Sequence, residues 1–336
     1  MSKFYKLLLS VSLALFAVGS THAESKEVTI GYLPVLNPWV IPMVDKTFEK
    51  ETGYKINWKQ FDSGASVILG MSSGAVQIGY AGSSPSAAAI SRGVDASVVW
   101  IMTTSQESLA VRNGSGILAP QDLIGKKIAV PFVSTAHFST MFALQQFSIK
   151  PTQVTLLNMQ PQQIAAAWER GDIDAAFVWD PALTKILESG KVLITSEVVS
   201  SWGKPTFDGL LANQGFLKNH PDFMPKFLNA ISQSYADYEK NKDKWTVNSE
   251  PVKKVAHFLG MNAKDVPTAM AGMTFPSIEQ QISCQWLGCG EKGGVARALK
   301  FTSEFLKEQK NVDKVLPEYT KYVDSQDATL AAAKGK

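Results

Sequence analysis

The stretch from Phe61 to Pro85, FDSGASVILGMSSGAVQIGYAGSSP, does most to limit the folds open to this chain. It predicts a polar turn, a short helix closed at Gly74, a strand over Val76 to Tyr80, and a Ser-Ser-Pro step into another helix. A strand that runs straight into a helix start belongs to layered α/β architecture, where ligands gather beyond the carboxyl ends of the strands. Proline at the first helical position sacrifices no useful donor, and the serines before it leave N–H groups pointing out of a helix end whose dipole favours negative charge. Ser83 and Ser84 therefore form a candidate anion seat.

The alternation continues on both sides. VTIGY, a helix ended by Gly53, and YKINWKQF come before it; an Ala-rich helix to Arg92 and the strand SVVWIMT follow. Strands separated by short helices predict a parallel sheet covered on both faces. SLAVRNGSG, from Ser108, reads as a strand leaving this first lobe into a Gly-Ser link. From Pro120 a second run begins: KKIAVPF, a helix from about Ala136 to Phe147, VTLLN, a helix from Pro161 to Arg170, DAAFVW, and a helix opening at Pro181. A short echo connects the runs, since helix, Gly74, strand and Ser84-Pro85 match helix, Gly171, strand and Asp180-Pro181 in order. SSWGKPTFDGLLANQGF reads as the return crossing. Beyond Pro221 the pattern is mainly helical, and the Ala- and Lys-rich tail after Val323 is expected to be loosely held. The expected organisation is two doubly wound α/β lobes joined by two crossing segments. Residues 24–112 with 208–336 make the first lobe, and 113–207 make the second.

Residues 1–23 carry Lys3 and Lys6, an apolar run from Leu7 to Val18, and Gly-Ser-Thr-His-Ala. This is the pattern of a secretory signal peptide cleaved after Ala23, with an apolar run too short to span a bilayer. Taking Lys3 and Lys6 from the 33 basic residues leaves 31 against 30 acidic ones. So balanced a chain has no global field for nucleic acid or an anionic membrane, and an anion must be recognised locally. Cys284 and Cys289, in CQWLGC, are expected to form a small-loop disulfide in an oxidising compartment. The four histidines are scattered, so no metal set is expected. HExxH and Walker patterns are absent, the GxSxG and GxGxxG matches at 70–74 (GMSSG) and 288–293 (GCGEKG) do not sit on a strand-to-helix turn, and Ser134-Thr135-His137 has no carboxylate at a spacing that would make it a nucleophile.

PFVSTAHFSTM gives the second lobe its own anion seat, because Ser134 and Thr135 follow a strand and precede a helix. Each seat alone is ordinary capping; one in each lobe points to a cleft between them. Counter-charge candidates are Asp62, Asp180 and Asp208. The first two precede helices and are explained as caps. Asp208 lies between Phe207 and an apolar strand, where a carboxylate needs a partner if buried. Trp202 and Tyr32 are aromatic candidates for covering an apolar ligand body.

The segments FDSGAS, VQIGYAGSSP, DLIGKKIAVPFVSTAHFS, AAWERGDIDAAFVW and SWGKPTFD together resemble the periplasmic taurine-binding proteins of ABC-type importers. Alkanesulfonate- and nitrate-binding proteins share looser versions. The resemblance implies a bilobed periplasmic-binding-protein fold with neither catalysis nor cofactor. It implies a periplasmic monomer that captures taurine between the lobes and delivers it to a permease and ATPase pair. It assigns the sulfonate to Ser83, Ser84, Ser134 and Thr135, and the ammonium to Asp208, with Trp202 along the carbon chain. The loop from Tyr32 to Pro38 departs from members that carry an acidic residue there, so an amine contact from it becomes neutral through Asn37. The competing readings are another sulfonate, aminoethylphosphonate, or an enzyme on the same fold. Thiamin-pyrimidine synthases resemble this fold, but CQWLGC does not replace their Cys-rich motif.

Overall fold

The computed structural model describes residues 26–104 and 107–334; the expected signal peptide lies outside them. Its strands are β1 (Glu27–Tyr32), β2 (Lys55–Gln60), β3 (Ile78–Gly82), β4 (Ala96–Thr103), β5 (Glu107–Arg112), β6 (Lys127–Val130), β7 (Thr155–Asn158), β8 (Ala175–Trp179), β9 (Gly190–Thr195) and β10 (Asp208–Asn213). They form two five-stranded sheets, ordered β2-β1-β3-β10-β4 and β7-β6-β8-β5-β9. In the first, β1 pairs in parallel with β2 and β3, while β10 runs antiparallel between β3 and β4. In the second, β6 pairs in parallel with β7 and β8, while β5 runs antiparallel between β8 and β9. One sheet is thus a topological copy of the other, with β3 equivalent to β8 and β10 to β5. The echo read around Gly74 and Gly171 marks this repeat. Both glycines have left-handed backbone, φ 76° and 80°, and follow the helix that leads into β3 or β8.

The expected first crossing is misplaced. Glu107–Arg112 does not leave the first lobe but is an inner strand of the second sheet, hydrogen-bonded on both sides. The crossing lies between Thr103 and Glu107, so the boundary expected after residue 112 moves back to that point. A buried apolar strand reads alike in either sheet, and only its pairing assigns it. The second crossing runs from Trp202 to Phe207 and delivers the chain to β10 in the first sheet. The tail is also corrected: the helix Gln326–Lys334 is docked, with Ala328 and Ala331 fully buried, and Val323 bridges to Val98 of β4.

An apolar core runs through both lobes, with Trp39, Trp100, Phe138 and Phe207 wholly buried. Behind the cleft, the helix Gly294–Glu308 brings Phe305 to 4.8 Å from Phe138 and 5.3 Å from Phe142 on the helix Thr135–Gln146 of the second lobe. Cys284 and Cys289 are disulfide-bonded, and the loop they close places Trp286 edge-on to Phe207, 6.2 Å between ring centres.

Candidate functional site

Two helix starts face each other across the cleft. The helix Ser83–Ser91 follows β3 directly and the helix Thr135–Gln146 follows β6 by a short turn, so both open at carboxyl ends of strands. The pocket between them is lined by Gly82, Pro85, Tyr80 and Asp208 from the first lobe, and by Glu107, Ser134, Thr135, Trp179 and Asp180 from the second. Leu33, Val35 and Leu36 give it an apolar wall, and among the described residues no Lys, Arg or His lines it.

Asp208 opens β10 opposite Gly82. Its Oδ2 accepts from Tyr80 Oη at 3.1 Å. Burial pushes its carboxyl up to about 6, against the pull of that hydrogen bond. Glu107, overlooked in the sequence, opens β5 opposite Trp179 and is 3% exposed. Thr135 Oγ1 donates to its Oε1, its N–H donates to Ser196 Oγ at 3.3 Å, and its Oε2 is buried without a hydrogen-bond partner. Burial, then the charge of Asp208, raise its carboxyl to about 8. The clue was available: Gln106-Glu107-Ser-Leu-Ala-Val sets an acid at the head of an apolar strand, as Phe207-Asp208-Gly-Leu-Leu does.

The other expected residues divide. Ser134 and Thr135 line the pocket, although Ser134 Oγ caps its helix, accepting from His137 N at 3.1 Å and donating to Pro131 O at 2.6 Å. Asp180 lines it too, with Oδ1 accepting from Thr184 N and Oγ1 at 2.9 and 2.6 Å. Its carboxyl is raised chiefly by burial. Ser84 does not line the pocket: it is 1% exposed and its Oγ has no hydrogen-bond partner.

Five expectations are corrected. Ser83 does not line the pocket: its N–H donates to Phe207 O at 2.7 Å and its Oγ accepts from Phe207 N at 3.5 Å, tying the helix start to the second crossing. Asn37 is fully buried in the first lobe, donating to Met102 O and Tyr235 Oη at 3.2 and 3.1 Å. Tyr32 packs on Trp58 and Phe258 and donates to Gln60 Oε1, outside the pocket. Trp202 lies edge-on to Phe147 at 5.8 Å, and Trp179 is the tryptophan that reaches the cleft. Asp62 is likewise not the cap expected, since Ser63 caps the helix Gly64–Ser72. Among the described residues there is no group of three or more His, Cys, Asp or Glu side chains arranged to hold a metal ion.

The family described as NMT1/THI5 like matches residues 44–244. The chain is 40% identical over 314 residues to the taurine-binding periplasmic protein of Escherichia coli (strain K12), covering 94% of this chain and 96% of that one. Its fold is shared by the alkanesulfonate-binding protein from Xanthomonas axonopodis pv. citri bound to MOPS, with a TM-score of 0.71, 21% identity, and 88% and 97% of the two chains covered. It is shared equally by the periplasmic aliphatic sulphonate binding protein from Escherichia coli, with a TM-score of 0.71, 21% identity, and 90% and 93% covered. The family match and the 40% identity over nearly the whole length show that the chain belongs to the NMT1/THI5-like family.

Proposed function

We propose that this protein captures taurine between its lobes in the periplasm, as a monomer, and delivers it to the permease and ATPase of an ABC importer. The observation that carries the reading is a pocket lined by Asp208, Glu107 and Asp180, without a basic side chain, at the mouth of two helix N-termini. Such a site suits a ligand with a cation at one end and an anion at the other. The 40% identity to a taurine-binding protein supports the same ligand class.

A sulfonate is tetrahedral at sulfur and stays ionised, so it needs several donors and no proton. Apart from those of Ser83 and His137, which donate to Phe207 O and Ser134 Oγ, the first N–H groups of both helices have no intrahelical acceptors, and the helix dipoles favour the charge. Ser84 Oγ, buried in the first turn of one of these helices without a hydrogen-bond partner, is a further donor that lobe closure could engage. Charge-assisted hydrogen bonds contribute about 1.5–3 kcal/mol each, so a few of them offset the cost of desolvating the ion. The ammonium is met by Asp208, with Trp179 and the leucines of the first-strand loop against the two-carbon chain. An alkanesulfonate without the amine brings only negative charge to a wall of carboxylates, and a phosphonate brings more of it; both are disfavoured by like-charge repulsion.

Titration calorimetry with taurine and ethanesulfonate tests this. Asp208→Ala is expected to weaken taurine by about 3 kcal/mol, roughly a hundredfold, because the ammonium loses its buried partner. Ethanesulfonate should weaken far less or bind better. Equal losses for both ligands would remove Asp208 from the amine site.

A further inference from the structure

Glu107 and Asp208 occupy corresponding places in the two lobes. Each is the first residue of the antiparallel strand that a crossing segment delivers, and each faces the last residue of the neighbouring strand, Trp179 or Gly82. The two acids converge on one point. A Cβ built on Gly82 would stand 3.0 Å from Asp208 Oδ1 and 3.4 Å from Thr135 Oγ1, the hydroxyl that donates to Glu107. Among the described residues, no basic side chain lines the pocket they share.

The surrounding elements supply no compensating charge. Tyr80 of β3 donates to Asp208 and is itself held neutral by burial, as is Tyr235 behind it. Asp180, after β8, adds a third carboxyl to the pocket. His137, two residues along the helix from Thr135, is kept uncharged by burial, at about 4. Two buried carboxylates with a shared outlook and no cation do not both ionise readily.

We propose that Glu107 and Asp208 hold one proton between them until a ligand arrives, and that the ligand's ammonium takes that proton's place, so that each capture at neutral pH releases one proton to solvent. The proposal rests on the reading that the ligand carries an amine. It assigns Glu107 as a second specificity residue: a ligand without an ammonium cannot displace the proton and meets a site that keeps it. The balance is simple. The zwitterion enters with its own proton on nitrogen, no covalent bond in the ligand changes, and one O–H bond in the carboxyl pair is exchanged for an N–H···O contact.

The test is calorimetry of the exported chain with taurine at pH 7 in phosphate and in Tris, buffers whose protonation enthalpies differ widely. The heats should differ by about one proton's worth of buffer ionisation, and affinity should rise about tenfold per pH unit between about 6 and 8, then level off. Glu107→Gln should abolish most of the release and flatten that slope. Clear binding with the same heat in both buffers overturns the proton exchange while leaving taurine capture standing. Undiminished release from Glu107→Gln would locate the proton elsewhere and also overturn it. No taurine heat in either buffer removes the parent reading and this one together. The two-buffer comparison on the unaltered protein decides the matter even where the variant does not fold.

Discussion

Glu107 sits where a carboxylate gains least from ionising, and this leaves a mark on stability as well as on binding. Its carboxyl is raised from an ordinary 4.5 to about 8, first by burial and then by Asp208. The folded chain therefore binds a proton that the unfolded chain has already lost between these two values. With the unfolded state holding fewer protons, stability falls as pH rises, by up to about 1.4 kcal/mol per unit for one group. Asp208, raised to about 6, adds to the slope in the lower part of the window. The melting temperature of the ligand-free protein is expected to decline from about pH 5 to about pH 8, and Glu107→Gln should flatten the decline; a flat profile in the parent protein would contradict the burial argument. Asp208 was legible in the sequence because an acid between Phe207 and an apolar strand caps nothing. Glu107 stands in the same setting, but its burial depends on Thr135, a residue far along the chain, and no local pattern announces that. Ser83, Asn37 and Trp202 failed for the complementary reason. Their polar groups or rings are engaged by Phe207, Met102, Tyr235 and Phe147, partners that spacing does not reveal.

The strand-to-helix steps were the most legible elements, since Ser-Ser-Pro after β3 and Ser134-Thr135 after β6 carry cap and start signals within a few residues. The copy relation between the lobes could also be read, because Gly74 and Gly171 mark equivalent turns. Sheet membership could not, and β5 was assigned to the wrong lobe: period and hydrophobicity describe a strand's faces, not its neighbours. How closely the steps meet appears only in three dimensions, and Gly82 shows it. Its φ of −69° suits any residue, so its need is for space. A Cβ there would lie 2.8 Å from Thr135 Cγ2 of the facing lobe. Alanine should cost the ligand-free fold little, about 0.5–1 kcal/mol, since with the lobes apart the Thr135 clash is gone and only the Asp208 carboxylate of the same lobe, 3.0 Å from the added Cβ, has to shift. It should cost taurine affinity at least tenfold, because overpacking at a closed contact is worth about 1–3 kcal/mol. Calorimetry with thermal melting separates the two effects; a Gly82→Ala protein that binds taurine normally would mean that the helix starts do not approach this closely in the bound state.

At the scale of the molecule, the asymmetry between the two sides of the cleft decides how it moves. The back is held by aromatic packing: Phe305 against Phe138 and Phe142, and Lys204 of the second crossing 4.9 Å over the Phe142 ring. The disulfide loop braces that crossing through Trp286 on Phe207, and Phe207 in turn holds Ser83. The front carries the three carboxylic acids of the pocket, Asp208, Glu107 and Asp180, and Asp265 of the first lobe pushes the Asp180 carboxyl of the second further up by like charge. We propose that hinging about the back opens the front when no cation is bound, and that an ammonium and a sulfonate supply the missing charges and draw it closed. A compact chain of roughly 310 residues has a radius of gyration of about 19–20 Å. Small-angle scattering should give a larger value for the ligand-free protein and a fall towards this figure with saturating taurine. Ethanesulfonate should leave the profile close to the ligand-free one. Gly82→Ala should stay expanded at taurine concentrations that close the parent, since the clash lies on the closing side. A profile indifferent to taurine, in a sample where calorimetry shows the site filled, would mean that capture proceeds without hinge motion and that the carboxylates act on affinity alone.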